Sequence, residues 1–146
     1  MHAIPPITPA RSSPLAVTIP AGMDNHTSRP SSDTLASLTR RVLQHRDERD
    51  WKQFHTPKEL AVSLCVEAAE LLAIMQWKTG AELEQAMADR RADVADELAD
   101  VLHSLLLLAD DLGVDLGAAL EQKLRKDAAK YPVEKARGKN LKYDEL

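Results

Sequence analysis

After about residue 34 the chain sets apolar side chains three and four positions apart, the spacing of a helix that hides one face. Leu35, Leu38 and Val42 open the pattern behind a capping Ser32 or Asp33, and the spacing predicts a first helix running to about Asp50. Thr56-Pro57-Lys58-Glu59 is a helix start: the threonine hydroxyl takes the N3 amide, proline fits N1, and the glutamate reaches back. The helix it opens extends to about Trp77, and Thr79-Gly80-Ala81-Glu82 starts a short one after it. A third long helix covers roughly Ala92 to Leu112 and stops at Gly113. Asp115 is placed to cap a fourth, which ends at Tyr131 because Pro132 follows, and residues 133–146 read as a polar tail. Four main helices and no strand predict an all-α fold.

Two of these helices carry acids at matching places. On a wheel advancing about 100° per residue with Leu60 as origin, Leu71, Leu64, Met75 and Ala68 fall between about 20° and 80°, and the buried stripe centres at about 40°. Glu67 then lies about 60° from that centre, and Glu70 falls just outside the stripe. With Glu97 as origin of the third long helix, Leu108, Val101, Val94, Leu112 and Leu105 centre at about 50°, so Glu97 and Asp100 repeat nearly the same offsets. If the two stripes pack together, the four carboxylates converge beside one apolar seam.

Like charges about 4 Å apart repel by about 4 kcal/mol at an effective dielectric of about 20, so such a group needs a counter-charge. Oxygen-only ligands in a partly dry cleft select a hard cation, Mg²⁺ or Mn²⁺. Asp93, at about −40° on the same wheel, is placed to support these ligands, whereas Asp96 at about −100° and His103 at about −120° point away from the stripe. The plain alternative is four solvated helix acids at a core boundary.

Composition narrows the remaining choices. The chain has 146 residues, enough for one domain, and its five aromatics and five glycines disfavour a hairpin-rich β core. Six of eight prolines lie in residues 1–33 among Ser, Thr and Ala, which reads as a disordered arm before an all-α domain over 34–146. That arm lacks the apolar core of a secretory signal; its low acidity leaves room for a transit peptide, and Met23 for an alternative start. A net charge of −4 argues against a nucleic-acid polymer as partner. The longest apolar runs, Leu71 to Met75 and Leu105 to Ala109, are too short to cross a membrane. The lone Cys65 excludes an intrachain disulfide framework and suits a reducing, cytoplasmic compartment.

Both tryptophans, Trp51 and Trp77, fall at helix boundaries rather than mid-stripe, and Trp51 to His55 gathers a tryptophan, a phenylalanine and a histidine into one turn. They suit a stacking surface for a planar ligand, or simply close the ends of the core. From Gln122 to Tyr143 eight basic residues face two acids, Asp127 and Glu134, a balance that fits a ligand with several negative oxygens or a solvated helix face. The apolar set Leu116, Leu120, Leu124 and Ala128 leaves most of these basic residues outside it.

Glu67-x-x-Glu70 followed by Glu97-x-x-Asp100 resembles the metal motif of the all-α nucleoside triphosphate pyrophosphohydrolases, the MazG-like superfamily. Arg49-Asp50-Trp51-Lys52-Gln53-Phe54-His55, Gln76-Trp77-Lys78 and Lys130-Tyr131-Pro132 resemble its dCTP pyrophosphatase branch, over about residues 35 to 146. The resemblance implies a four-helix subunit assembling as a homodimer or homotetramer, Mg²⁺ (Mn²⁺ as substitute) held by Glu67, Glu70, Glu97 and Asp100, and hydrolysis of a (d)NTP to monophosphate and diphosphate. It further implies that Trp51, His55 and Trp77 contact the base, that Trp51, Lys52, Gln53, Phe54 and His55 line its pocket, and that Lys130, Tyr131 and Arg137 serve the triphosphate. Ser104 stands where that branch carries a base-contacting tyrosine, and Asp127 where relatives commonly carry asparagine. The implied substrate is thus a dCTP-like or modified pyrimidine deoxynucleotide, and the implied role is cleaning of the nucleotide pool.

Metal-assisted displacement by water needs no covalent nucleophile, and Glu67 is the expected group to orient that water. A ferritin-like di-metal oxidase would want Glu-x-x-His on two helices, and only Asp100-Val101-Leu102-His103 approaches it. A catalytically silent helical interaction module remains the other class.

Overall fold

A computed structural model describes residues 33–146; most of the proline-rich arm and the expected cap at Ser32 lie outside them. Every element among the described residues is helical. They are α1 (Leu35–Asp47), a 3₁₀ turn (Trp51–Phe54), α2 (Pro57–Met75), α3 (Gly80–Asp89), α4 (Arg91–Asp111), α5 (Leu116–Lys130) and α6 (Val133–Ala136). The count is six α-helices rather than four: the four long helices expected are α1, α2, α4 and α5, α3 is the expected short one, and α6 forms where a polar tail was expected.

The caps explain the boundaries. At α1 the cap is Thr34, not Ser32 or Asp33: its hydroxyl accepts from the Ser37 amide at 3.2 Å, and the Ser37 hydroxyl accepts from the Thr34 amide at 2.9 Å. Thr56 accepts from the Glu59 amide at 3.3 Å with Pro57 at N1. Thr79 precedes α3 without a side-chain cap bond, and Gly80 instead supplies a positive φ of 53°. α4 ends one residue before the expected Leu112. Gly113, at φ 63°, donates to Asp110 O at 3.0 Å and Val114 to Ala109 O at 2.8 Å, a Schellman closure.

The residues fall into two compact units, with the boundary inside α5. In the unit from residue 33 to 117, α2 and α4 make the main helix pair, α1 packs on α4, and α3 touches both members of the pair. On α2 Leu60 and Ile74 are buried, Ser63, Leu64, Glu67, Leu71 and Met75 are half-buried, and Ala68 is exposed. The packed face is therefore centred about 40° closer to Glu67 than the apolar stripe alone indicates, because Ser63 and Ile74 share it and Ala68 does not. The N-terminal half of α4 half-buries a single stripe (Val94, Glu97, Val101), but its C-terminal half is packed on several sides through Ser104, Leu106, Leu107 and Ala109. Packing of α1 as well as α2 against α4 accounts for that spread.

Arg46 on α1 is only 5% exposed. Its Nε donates to Asp47 Oδ1 at 2.7 Å, and Nη1 lies 4.0 Å from Asp110 Oδ2, tying α1 to the end of α4. A buried guanidinium persists only when its donors meet acceptors in this way. The outer face of α2 is apolar too: Val62, Val66 and Leu72 are exposed, Leu72 by 60%. No single helix among the described residues is long and apolar enough to cross a membrane.

The unit from residue 118 to 146 holds most of α5, all of α6 and the C-terminal segment. Leu120 and Leu124 are exposed, so the apolar set expected on this helix is open in the single chain. Tyr131 and Tyr143 meet edge to face with centroids 6.1 Å apart, and Lys130 Nζ sits 5.3 Å from the Tyr143 ring centroid.

Candidate active site

The acids on α2 and α4 come together because Glu67 and Glu97 lie on the packed faces of the main helix pair. One carboxylate oxygen each from Glu67, Glu70 and Glu97 falls within 4.8 Å of the other two. Asp100 is outside that trio but close enough that its charge acts on both Glu67 and Glu97. Glu67 is held above the ordinary glutamate value of 4.5, first by loss of water and then by Asp100, Glu70 and Glu97. Glu97 is raised in the same direction by desolvation, Glu70, Asp100, Asp93 and Asp96. Glu97 Oε2 is buried with no hydrogen-bond partner. A carboxylate oxygen in that position wants a cation, so the donor set fits a hard divalent ion. Asp93 is engaged by Arg90 Nε at 2.7 Å.

A cluster of rings lies on the α1 side of α4. His45 meets Trp51 edge to face (centroids 5.8 Å) and His103 likewise (6.1 Å), and Trp51 lies 6.5 Å from His55. Arg49 stacks its guanidinium over Trp51 at 5.6 Å. His55 Nδ1 is buried without a hydrogen-bond partner. Gln53 is spent locally, its amide donating to Asp50 O at 3.0 Å and to Asp50 Oδ2 at 2.8 Å, which holds Asp50 at φ 52°. Lys52 and Phe54 are exposed.

The MazG-like family matches residues 62–146, which include all four acids. The chain belongs to that family. Among curated relatives, dCTP pyrophosphatase 1 of Rattus norvegicus is 40% identical over 115 residues, covering 77% of this chain and 68% of the relative. The Homo sapiens protein of the same name is also 40% identical, with the same coverage. A solved pyrophosphatase from Archaeoglobus fulgidus superposes with a TM-score of 0.64 at 39% identity, over 67% of this chain and 92% of its own.

Of the residues the sequence singles out for this MazG-like site, the structure gathers Glu67, Glu70 and Glu97 in one place, with Asp100 near enough to act on two of them, and Trp51 with His55 in another. Trp77 joins no ring contact among the described residues: it is 89% exposed and held at φ 66°, a conformation a bulky side chain seldom adopts. Lys130, Tyr131 and Arg137 lie in the C-terminal unit. Asp127 accepts there from Lys123 Nζ through both carboxylate oxygens, an ion pair one helical turn long.

Ser104 is buried, 8% exposed. His103 is half-buried rather than on the surface, a correction to its place on the wheel, because α1 packs on the flank that the α2-facing stripe leaves out. His45 lies seven residues after Leu38 and three after Val42, at the edge of the α1 apolar stripe, a place that does not by itself mark a site residue. Only a spacing argument joining α1 to α4 could have found either histidine.

Proposed function

We propose that the chain is a Mg²⁺-dependent nucleoside triphosphate pyrophosphohydrolase that splits a dCTP-like or modified pyrimidine deoxynucleotide into monophosphate and diphosphate. The convergence of the Glu67, Glu70 and Glu97 oxygens beside Asp100 carries this reading, because a buried, unpartnered carboxylate oxygen among like charges is stabilised by a cation. The relatives named dCTP pyrophosphatase agree with it, and the coarser statement, that the chain is a nucleotide diphosphatase, rests on them.

Mg²⁺, or Mn²⁺ in its place, held by Glu67, Glu70, Glu97 and Asp100, would offset phosphate charge and polarise the anhydride. Glu67 orients the attacking water and takes its proton. Trp51 and His55 face the base, with Lys52, Gln53 and Phe54 at the rim of that turn and Trp77 as a further aromatic contact. Lys130, Tyr131 and Arg137 bind phosphate oxygens. A second copy of the chain covers the apolar outer face of α2 at Val62, Val66 and Leu72, giving a homodimer or homotetramer.

Purified full-length chain incubated with Mg²⁺ and a panel of natural and modified deoxynucleoside triphosphates tests the reading. Equal yields of monophosphate and diphosphate, dependent on the ion, are expected. Absence of turnover across the panel leaves a silent helical module.

A further inference from the structure

An open cleft of about 700 Å³ runs between α1 and α4, lined by Leu38, Arg41, Val42, His45, Ala99, Asp100 and His103. It is separate from the three-glutamate trio yet shares a wall with it, since Asp100 lines the cleft and also acts electrostatically on Glu67 and Glu97. Leu38, Val42 and Ala99 give it apolar sides, and the two histidines are the ring-bearing polar groups in it. A planar ligand with a hydrogen-bonding edge at one end and negative oxygens destined for a cation at the other matches that layout.

Building on the nucleotide reading above, we infer that His45 and His103 are specificity residues that read the edge of the pyrimidine in this cleft. His45, though exposed, meets Trp51 edge to face on one side and His103 on the other, so the two imidazoles stand side by side at the cleft. Burial, together with His45 and His55, lowers the His103 ring below the ordinary histidine value against the pull of Asp100, which favours its uncharged form. An uncharged imidazole presents one donor and one acceptor and can exchange them by changing tautomer. An amino pyrimidine offers a donor where a keto pyrimidine offers an acceptor. A reader that swaps its own donor and acceptor discriminates poorly between the two. The chemistry assigned to the cleft is therefore tolerant pyrimidine recognition, with amino and keto bases both accepted, rather than strict cytosine selection.

The test uses the full chain without divalent ion, titrated with dCMP and separately with dTMP while the histidine ring resonances are followed by NMR. Both nucleotides are expected to move the His45 and His103 signals, with affinities within about tenfold of one another. His103→Leu should weaken both by about tenfold or more, while His103→Gln, which keeps a donor and an acceptor, retains most of the binding. His45→Phe keeps a ring against Trp51 and should lose affinity without loss of helix content. Ring signals that stay still with either nucleotide, wild-type affinity in His103→Leu, or binding of dCMP alone would each overturn the inference. Turnover is measured separately: a protein that hydrolyses triphosphates while His103 stays silent keeps the proposed function and loses this inference. One that binds through His103 but hydrolyses nothing does the reverse.

Discussion

Glu97 concentrates the chemistry of this site in one side chain. One of its oxygens is buried and unpartnered, and four neighbouring acids push its proton affinity up. Because Glu67 and Glu97 are raised in the folded state, the metal-free protein binds more protons than its unfolded chain above the ordinary value of 4.5, so stability falls as pH rises through that window. Thermal unfolding of chelated protein should show a higher midpoint at mildly acidic than at neutral pH. Adding Mg²⁺ at neutral pH should restore it, by about 2.7 kcal/mol at a hundred times the dissociation constant. Glu97→Gln removes one repelling charge: it should raise the metal-free midpoint, flatten that pH dependence and abolish ion-dependent hydrolysis. Trp77 shows a different tension, since a bulky ring is held at φ 66° with almost no burial to reward it. Trp77→Asn should raise stability by about 1 kcal/mol in chemical denaturation while weakening nucleotide binding.

At the level of helices, local signals were legible and neighbours were not. Thr56 with Pro57, and Gly113 after α4, mark boundaries through bonds that span only a few residues, so the sequence contains everything needed to place them. The direction each helix faces depends on what packs against it. The apolar stripe of α2 points to one side, yet Ser63, Glu67 and Ile74 share the packed face while Ala68 does not. That rotation brings Glu67 further into the interface than its periodicity alone suggests. His103 was misplaced for the same reason, because a wheel drawn for one partner cannot anticipate α1 on the opposite flank. The C-terminal half of α4 is where these contacts concentrate, so Leu106→Ala should cost about 2–5 kcal/mol of folding free energy. Leu98→Ala, on an exposed part of the same helix, should cost about 0.5 kcal/mol or less, and urea unfolding of the pair checks the contrast.

Across the whole chain, the approach of Glu67, Glu70 and Glu97 was readable because the acids of each helix sit at a similar offset from its own stripe, a relation internal to each helix. The size and place of the cleft were not readable, because they belong to the gap between α1 and α4. α2 is apolar on both its packed and its outer faces, which is unusual for a helix at the surface. Val66→Glu on the outer face should shift the protein towards monomer in light scattering and lower its unfolding midpoint, whereas an unchanged mass would locate the subunit contact elsewhere. Asp100 acts on the carboxylate cluster and also lines the cleft. Linkage then makes the two loadings reciprocal: whatever factor the divalent ion adds to the affinity for a nucleotide, the nucleotide must return to the ion. The enzyme would hold its metal most firmly when substrate is abundant and let it exchange most freely when the pool is empty.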